Sequence, residues 1–213
     1  MGPQVAGGGD LESPQARVSV PPTPPIVLAS ESPQRRAILE QLDIPFRVVP
    51  PRYEEHDSPG ADPVELVREH SRGKARSVGP HEECPVLGVD TAVVVDGDAL
   101  GKPATTAEAE LMLERLSGRT HEVVSGLCLI TPGWEELHHE TTSVTFRAVT
   151  ARDLAHYLGS GEWENRAGAY AIQGLGVSFV ERVEGDYLNV VGLPAALLVR
   201  LLAERFAGLY GFG

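Results

Sequence analysis

Short unbroken apolar runs in the first half of this chain alternate with segments whose apolar residues recur at helical spacing. Ile26-Val27-Leu28-Ala29 is a run of the kind that a parallel sheet buries on both faces. It passes through Ser30-Glu31-Ser32 into a predicted helix. There Ser32 suits the N-cap, Pro33 the first helical position, and Ala37, Ile38, Leu39 and Leu42 give one apolar side. Phe46-Arg47-Val48-Val49 reads as a second strand closed by Pro50-Pro51, and a polar loop through Glu54, Glu55, His56 and Asp57 follows. Asp62-Pro63 repeats the cap-plus-proline signal ahead of Val64, Val67, Ser71, Ala75 and Val78. Lys74 and Arg76 fall in the last turns of that helix, where cations offset its dipole.

Val86-Leu87-Gly88-Val89 predicts a third buried strand, ending at Asp90-Thr91. Val93-Val94-Val95 and Ala99-Leu100 flank Asp96-Gly97, a hairpin signal, and Thr105-Thr106-Ala107-Glu108 reads as a capping box for a helix ending near Gly118. From there strand patterns take over. Residues 123–130 and 141–149 have strand composition and could pair around Pro132-Gly133, and Thr150-Ala151-Arg152-Asp153 caps a short helix that stops at Gly159. A glycine-dotted loop over 167–176 precedes a strand over 177–183, and Pro194 opens a last helix with Leu197, Leu198, Leu201 and Leu202 on one face. Alternating strands and helices followed by antiparallel strands predict an α/β fold: an elongated mixed β-sheet with flanking helices and two lobes around a central cleft.

At 213 residues the chain can bury a sizeable core, as one domain or two packed halves. The first 25 residues, with Gly7-Gly8-Gly9 and Pro21-Pro22-Thr23-Pro24-Pro25, are too poor in apolar surface to offset ordering entropy. They are read as a disordered tail, leaving a domain over 26–206 and a short C-terminal tail over 207–213. A balance of 18 basic to 30 acidic residues argues against a broad nucleic-acid-binding surface, though not against a small basic pocket. Cys84 and Cys128 offer neither a disulfide framework nor zinc spacing and fit a reducing compartment. No basic stretch followed by an apolar one opens the chain, and no run approaches a membrane span, so the expectation is a cytoplasmic protein with no membrane partner.

Candidate chemistry gathers at the predicted strand–helix junctions. Ser30, Ser32, Arg35 and Arg36 surround a helix N-terminus, which makes either an anion site, most simply for phosphate, or a well-capped helix with solvated arginines. Asp90, placed just past the end of a buried strand, could accept a proton from water or hold a divalent ion; it could equally be a turn residue. Lys74 and Lys102, each a surface charge when taken alone, fall near the same junctions, and Glu54 and Glu55 add carboxylates in a loop. Cations to clamp oxyanions, with carboxylates for a metal and a water, are what phosphoryl transfer requires. Gln173 is a base reader or an ordinary polar loop residue, since its amide both donates and accepts. His138-His139 lacks the i, i+4 spacing of a helical metal site and reads as a surface pair. Walker, dinucleotide-binding and Gly-x-Ser-x-Gly signatures are all missing.

Four separated motifs resemble the Maf proteins, a family of nucleoside triphosphate pyrophosphatases. They are Leu28-Ala29-Ser30-Glu31-Ser32-Pro33-Gln34-Arg35-Arg36, Gly88-Val89-Asp90-Thr91-Ala92-Val93-Val94, Leu116-Ser117-Gly118-Arg119-Thr120-His121-Glu122-Val123 and Ala167-Gly168-Ala169-Tyr170-Ala171-Ile172-Gln173-Gly174. Asn189-Val190-Val191-Gly192-Leu193-Pro194 is a further family-like run, and the likeness spans residues 26 to about 202. The resemblance implies an elongated, ITPase-like mixed sheet with a cleft, commonly in a homodimer. It implies hydrolysis between the α- and β-phosphates of a nucleoside triphosphate, giving a monophosphate and pyrophosphate with a divalent cation, Mg²⁺ or Mn²⁺. By motif, Asp90 is the proton acceptor, and Ser32, Arg35, Glu55, Lys74 and Lys102 surround the phosphates and metal, with Ser30 beside them. Asp90 and Glu55 are the implied metal ligands, and Gln34, Thr91 and Gln173 fall at substrate-selectivity positions.

Members that resemble dTTP and UTP pyrophosphatases usually carry Arg where Gln34 stands, and the 7-methyl-GTP subgroup tends to carry Trp, a stacking surface for a cationic purine. Thr91 and Gln173 fit the dTTP/UTP pattern, and Pro51-Arg52 departs from the pair often found ahead of the acidic loop. The expectation is a dTTP/UTP-type housekeeping enzyme. The rival functions are a nucleotide-sensing regulator of cell division that binds without turnover, and a pyrophosphatase for modified purines such as ITP or 7-methyl-GTP.

Overall fold

One long strand organises the fold of the computed structural model, which describes residues 23–56, 60–79 and 84–213; of the tail read over 1–25, residues 1–22 lie outside them. Strand β3 (Val86–Val95) pairs along almost its whole length with antiparallel β5 (Thr120–Ile130), from Val86 opposite Ile130 to Val94 opposite Glu122. Its other edge is shared. β1 (Ile26–Leu28) lies parallel to its start, through Leu87, and β4 (Asp98–Leu100) lies antiparallel to its end, from Val93. Between them, at residues 88–92, no strand of the described residues pairs with that edge. β2 (Phe46–Val48) extends the sheet beyond β1, and β6 (Glu135–Phe146) and β7 (Val180–Glu184) extend it beyond β5, giving the order β2-β1-β3-β5-β6-β7 with β4 on β3.

The sheet is mixed, as the sequence pattern predicts, and two apolar cores sit along it. In the first, Leu87, Val89, Leu127 and Leu129 pack with Ile38 and Leu39 of α1 (Pro33–Gln41) and with Leu197, Leu198, Leu201 and Leu202 of α6 (Ala195–Phe206). In the second, Val93, Val95 and Val123 pack with Leu113 of α3 (Thr106–Leu116), Tyr157 of α4 (Ala151–Gly159), Phe146 and Phe179. On the same face, between the two cores, stand Thr91 and its cross-strand neighbour Ser125, whose hydroxyls are 2.8 Å apart. Two lobes and a polar seam follow from that alternation.

The opposite face is covered by α2 (Pro63–Val78), capped by Asp62, whose carboxylate accepts from the N–H groups of Val64 and Glu65. Two glycines let this helix lie against the sheet. A Cβ on Gly88 would fall 2.1 Å from the Ser71 carbonyl oxygen, and one on Gly126 would fall 2.1 Å from that of Val67, one helical turn earlier.

Several sequence expectations are corrected. Asp90 lies in the middle of β3, not beyond its end, because β5 pairs straight through it. Lys74 turns inward and is buried rather than serving the helix end, and Ala37 is exposed. Glu108 accepts from Ala104 N, one residue short of the reciprocal capping bond, although Thr105 does cap α3. β6 begins at Glu135 and ends at Phe146, and residues 175–179 form a 3-10 turn ahead of β7. The Asp96-Gly97 hairpin forms with both residues at positive φ, and Thr150 and Asp153 make a full capping box. A short helix α5 (Tyr187–Val191) precedes α6. Residues 207–213, expected as a C-terminal tail, return Tyr210 to the first core; its hydroxyl donates to Pro24 O, and Thr23 donates to Leu209 O. Among the described residues no helix is long and apolar enough to cross a membrane.

In the second core His121 is 2 % exposed, 2.9 Å from the Tyr170 hydroxyl and edge-on to Phe146. Burial lowers its pKa from 6.5 to about 4. Because the folded value lies below the unfolded one, the stability gained by keeping this imidazole neutral is whole above about pH 6.5 and is lost as pH falls toward 4, about 3 kcal/mol in all. The urea midpoint is expected to drop across that window. His121→Phe is expected to flatten the slope, and an unchanged slope would assign the acid sensitivity to other groups.

Candidate active site

A cleft of about 850 Å³ lies beside the open stretch of β3, which gives it Thr91; Asp90 is not among its lining residues and meets it through Lys74. Ser30, Ser32, Gln34, Arg35, Glu55, Lys74, Thr91, Lys102 and Gln173 all line it, so residues spread over the whole sequence meet in one place. Val93, Val123, Tyr170, Ile172 and Val190 supply apolar wall from the second lobe's side. A cleft with cations on one side and apolar surface on the other suits a ligand that is charged at one end and flat at the other.

Lys74 is the centre of the charged side. Its Nζ lies 2.5 Å from Asp90 Oδ1 and 2.6 Å from Glu55 Oε1. Asp90 projects from β3 toward α2, on the same face as Gly88, so the close approach of α2 permitted by Gly88 and Gly126 is what brings Lys74 to it. Glu55 arrives from the other direction, on a segment strapped to α2. Arg52 N donates to Ser77 Oγ at 3.0 Å, and the Tyr53 hydroxyl is 3.0 Å from His70 Nδ1. The Tyr53 ring lies over Gly73, where a Cβ would fall 2.2 Å from it. Two residues later Glu55 reaches Lys74.

Arg35 pins the phosphate-binding candidates together. Its Nε donates to Gly192 O at 2.8 Å, Nη1 to Ser30 Oγ at 2.9 Å and Nη2 to Thr91 Oγ1 at 3.3 Å. A guanidinium carries five N–H donors, so one on each terminal nitrogen is left over for a ligand. Burial lowers the basicity of this group, and the Asp90 and Glu55 carboxylates oppose that effect. Arg36, by contrast, is exposed and does not line the cleft, so only one of the two arginines belongs to the site. Ser32 caps α1, accepting from Arg35 N, and its hydroxyl donates to Gln34 Oε1 at 3.2 Å, which orients that amide. Lys102 is exposed and forms no ion pair among the described residues, and Gln173 is exposed on its loop.

Four contributors escape a reading of sequence alone. Ser125 supports Thr91, Gly192 receives Arg35, Tyr53 fastens the Glu55 segment, and Glu162 holds the Gln173 loop. A signal existed for Ser125, a lone hydroxyl in an apolar strand, and for the two strand-interior glycines. Burial pushes the Cys128 thiol up to about 12, so it is a packing residue and no nucleophile at neutral pH.

Two carboxylates converging on one positive charge are a donor set that suits a hard divalent cation. Among the described residues no group of three or more acidic, His or Cys side chains converges, so the protein offers few ligands and a bound triphosphate would complete the shell. That sharing is usual for Mg²⁺.

The family described as Maf-like protein matches residues 25–205 of the chain. A dTTP/UTP pyrophosphatase of Deinococcus radiodurans is 46 % identical over 191 residues, covering 89 % of this chain and 96 % of that protein. One of Symbiobacterium thermophilum is 44 % identical over 180 residues, covering 84 % and 93 %. A HAM1 protein of Coxiella burnetii superposes with a TM-score of 0.48 at 20 % identity, covering 85 % of this chain and 99 % of that one.

Proposed function

The chain belongs to the Maf family, and from that premise we propose that it hydrolyses nucleoside triphosphates, dTTP and UTP first among them, to the monophosphate and pyrophosphate. The observation that carries this reading is the meeting of Asp90, Lys74 and Glu55 at the open edge of β3, beside Arg35 and the start of α1. A triphosphate needs cations and N–H donors around its oxygens and a base beside its α-phosphorus; Arg35, Lys74, Lys102 and the start of α1 line the cleft as the first, and Asp90, in contact with Lys74, is the candidate for the second.

In the proposed mechanism the triphosphate lies along the N-terminus of α1, with Arg35 and Lys102 on its oxygens. Lys74 donates to Asp90 Oδ1, which leaves Oδ2 to take the proton from a water attacking the α-phosphorus in line. The bond to the bridging oxygen breaks, and pyrophosphate departs with its new charge stabilised by Lys74 and Lys102. Asp90 and Glu55 are the residues that would hold Mg²⁺ or Mn²⁺, which when bound neutralises phosphate oxygens. The apolar wall receives the base, and Gln173, Thr91 and Gln34 choose it. Gln34 presents an amide and no stacking ring, which favours a neutral pyrimidine over 7-methyl-guanine. The same family premise carries the expectation of a cytoplasmic homodimer.

The test is release of pyrophosphate and monophosphate from dTTP, UTP, CTP, ITP, GTP and 7-methyl-GTP with Mg²⁺ or Mn²⁺. Turnover led by dTTP and UTP is expected; faster turnover of a purine would move the preference, and no release from any nucleotide would overturn the hydrolase reading. Lys102→Ala is expected to cost about a hundredfold in kcat, the usual worth of one preorganised oxyanion contact. Wild-type turnover in that variant would take Lys102 out of the mechanism.

A further inference from the structure

The loop that carries Gln173 runs between two short 3-10 turns, 167–169 and 175–179, and its backbone is fastened from one neighbouring side. The Glu162 carboxylate accepts from Leu175 N at 2.8 Å through Oε2 and from Gly176 N at 3.0 Å through Oε1. Tyr157, in the last turn of α4, accepts from Ala171 N at 3.2 Å through its hydroxyl. Gln173 therefore sits between two anchored points, Ala171 on one side and Leu175-Gly176 on the other. Gly174 completes the arrangement, because a Cβ there would lie 2.0 Å from Glu162 Oε2. Glycine at this position leaves room for the carboxylate beside it.

We propose that Glu162, with Tyr157, is the positioning residue for base selection: it holds the 171–176 loop so that the Gln173 amide meets the base in a fixed orientation. This rests on the nucleotide hydrolase reading above. A loop amide discriminates bases only if its donor and acceptor are held in place before the ligand arrives. Side-chain caps on three backbone N–H groups do that here without occupying Gln173 itself. Glu162 lies on the wall of the cleft, but its carboxylate faces the loop backbone.

The experiment compares wild type, Glu162→Ala, Glu162→Gln and Gly174→Ala by kcat and KM for dTTP, UTP, CTP and GTP, with hydrogen exchange of the 171–176 segment. In Glu162→Ala the segment should lose protection, KM for the preferred pyrimidine should rise roughly tenfold and the ratio of kcat/KM across bases should collapse toward one, while kcat changes much less. Glu162→Gln, which keeps one acceptor oxygen, should recover part of the ratio. Gly174→Ala displaces the carboxylate and should reproduce Glu162→Ala, and the two together should be no worse than either. Retained base discrimination in a folded Glu162→Ala, or loss of kcat with no change in the ratio, would overturn the inference and leave the hydrolase reading standing. Absence of release by wild type would strike that reading itself.

Discussion

Replacing Asp90 by Asn is expected to lower kcat by about a hundredfold to ten-thousandfold, the range over which a positioned general base acts. The substitution is informative because it changes so little else. An Asn oxygen can still accept from Lys74, so the 2.5 Å contact that links α2 to β3 keeps a partner. The side chain can no longer take a proton. Nucleotide binding should therefore persist while single-turnover release of pyrophosphate disappears. Loss of binding in step with turnover would make the metal that Asp90 would hold, and not the proton it takes, its main contribution, and unchanged turnover would remove it as the base. Binding by wild type and variant alike, with product from neither, would favour a nucleotide sensor.

Gly88→Ala is expected to destabilise the fold by about 3 kcal/mol or more, because the added methyl meets backbone and not a side chain that could swing aside. Its Cβ would fall 2.1 Å from Ser71 O and 2.8 Å from Ala75 N, so α2 must move away from the sheet. Lys74 lies on that stretch of α2, and any retreat separates it from Asp90. Activity should then fall below what the folded fraction accounts for. Gly133→Ala is the control, since a Cβ there meets nothing within 4 Å. Urea titrations of the two variants beside wild type decide the matter: equal midpoints would mean that α2 does not depend on this close approach.

Much of this was readable beforehand, and the misses share a cause. Ser32-Pro33, Asp62-Pro63, Asp96-Gly97 and Thr150 through Asp153 produced their caps and turn where the pattern put them, since such signals depend on neighbours in the chain. Asp90 reads as a strand-end residue because Gly88 and Thr91 interrupt the apolar run, and only pairing with β5 shows that the strand continues. The start of β6, Glu135 to Glu140, is too polar to read as a strand; it pairs as one because β5 lies beside it. The site residues came from motifs, but their joinery did not. That Lys74 is shared by two carboxylates, that Arg35 is fastened at three points and that Glu162 reaches across to Leu175 and Gly176 are all facts about distant segments meeting.

The divided edge of β3 bears on solubility as well. Opening a sheet to make room for a ligand exposes unpaired backbone, the surface on which strands of other molecules stack and aggregates begin. Here the exposed interval ends at β1 on one side and at β4 on the other, and α2 lies across the sheet behind it. A foreign strand would find no run long enough to zip onto. The same two neighbours that give a nucleotide its berth thus deny it to another polypeptide.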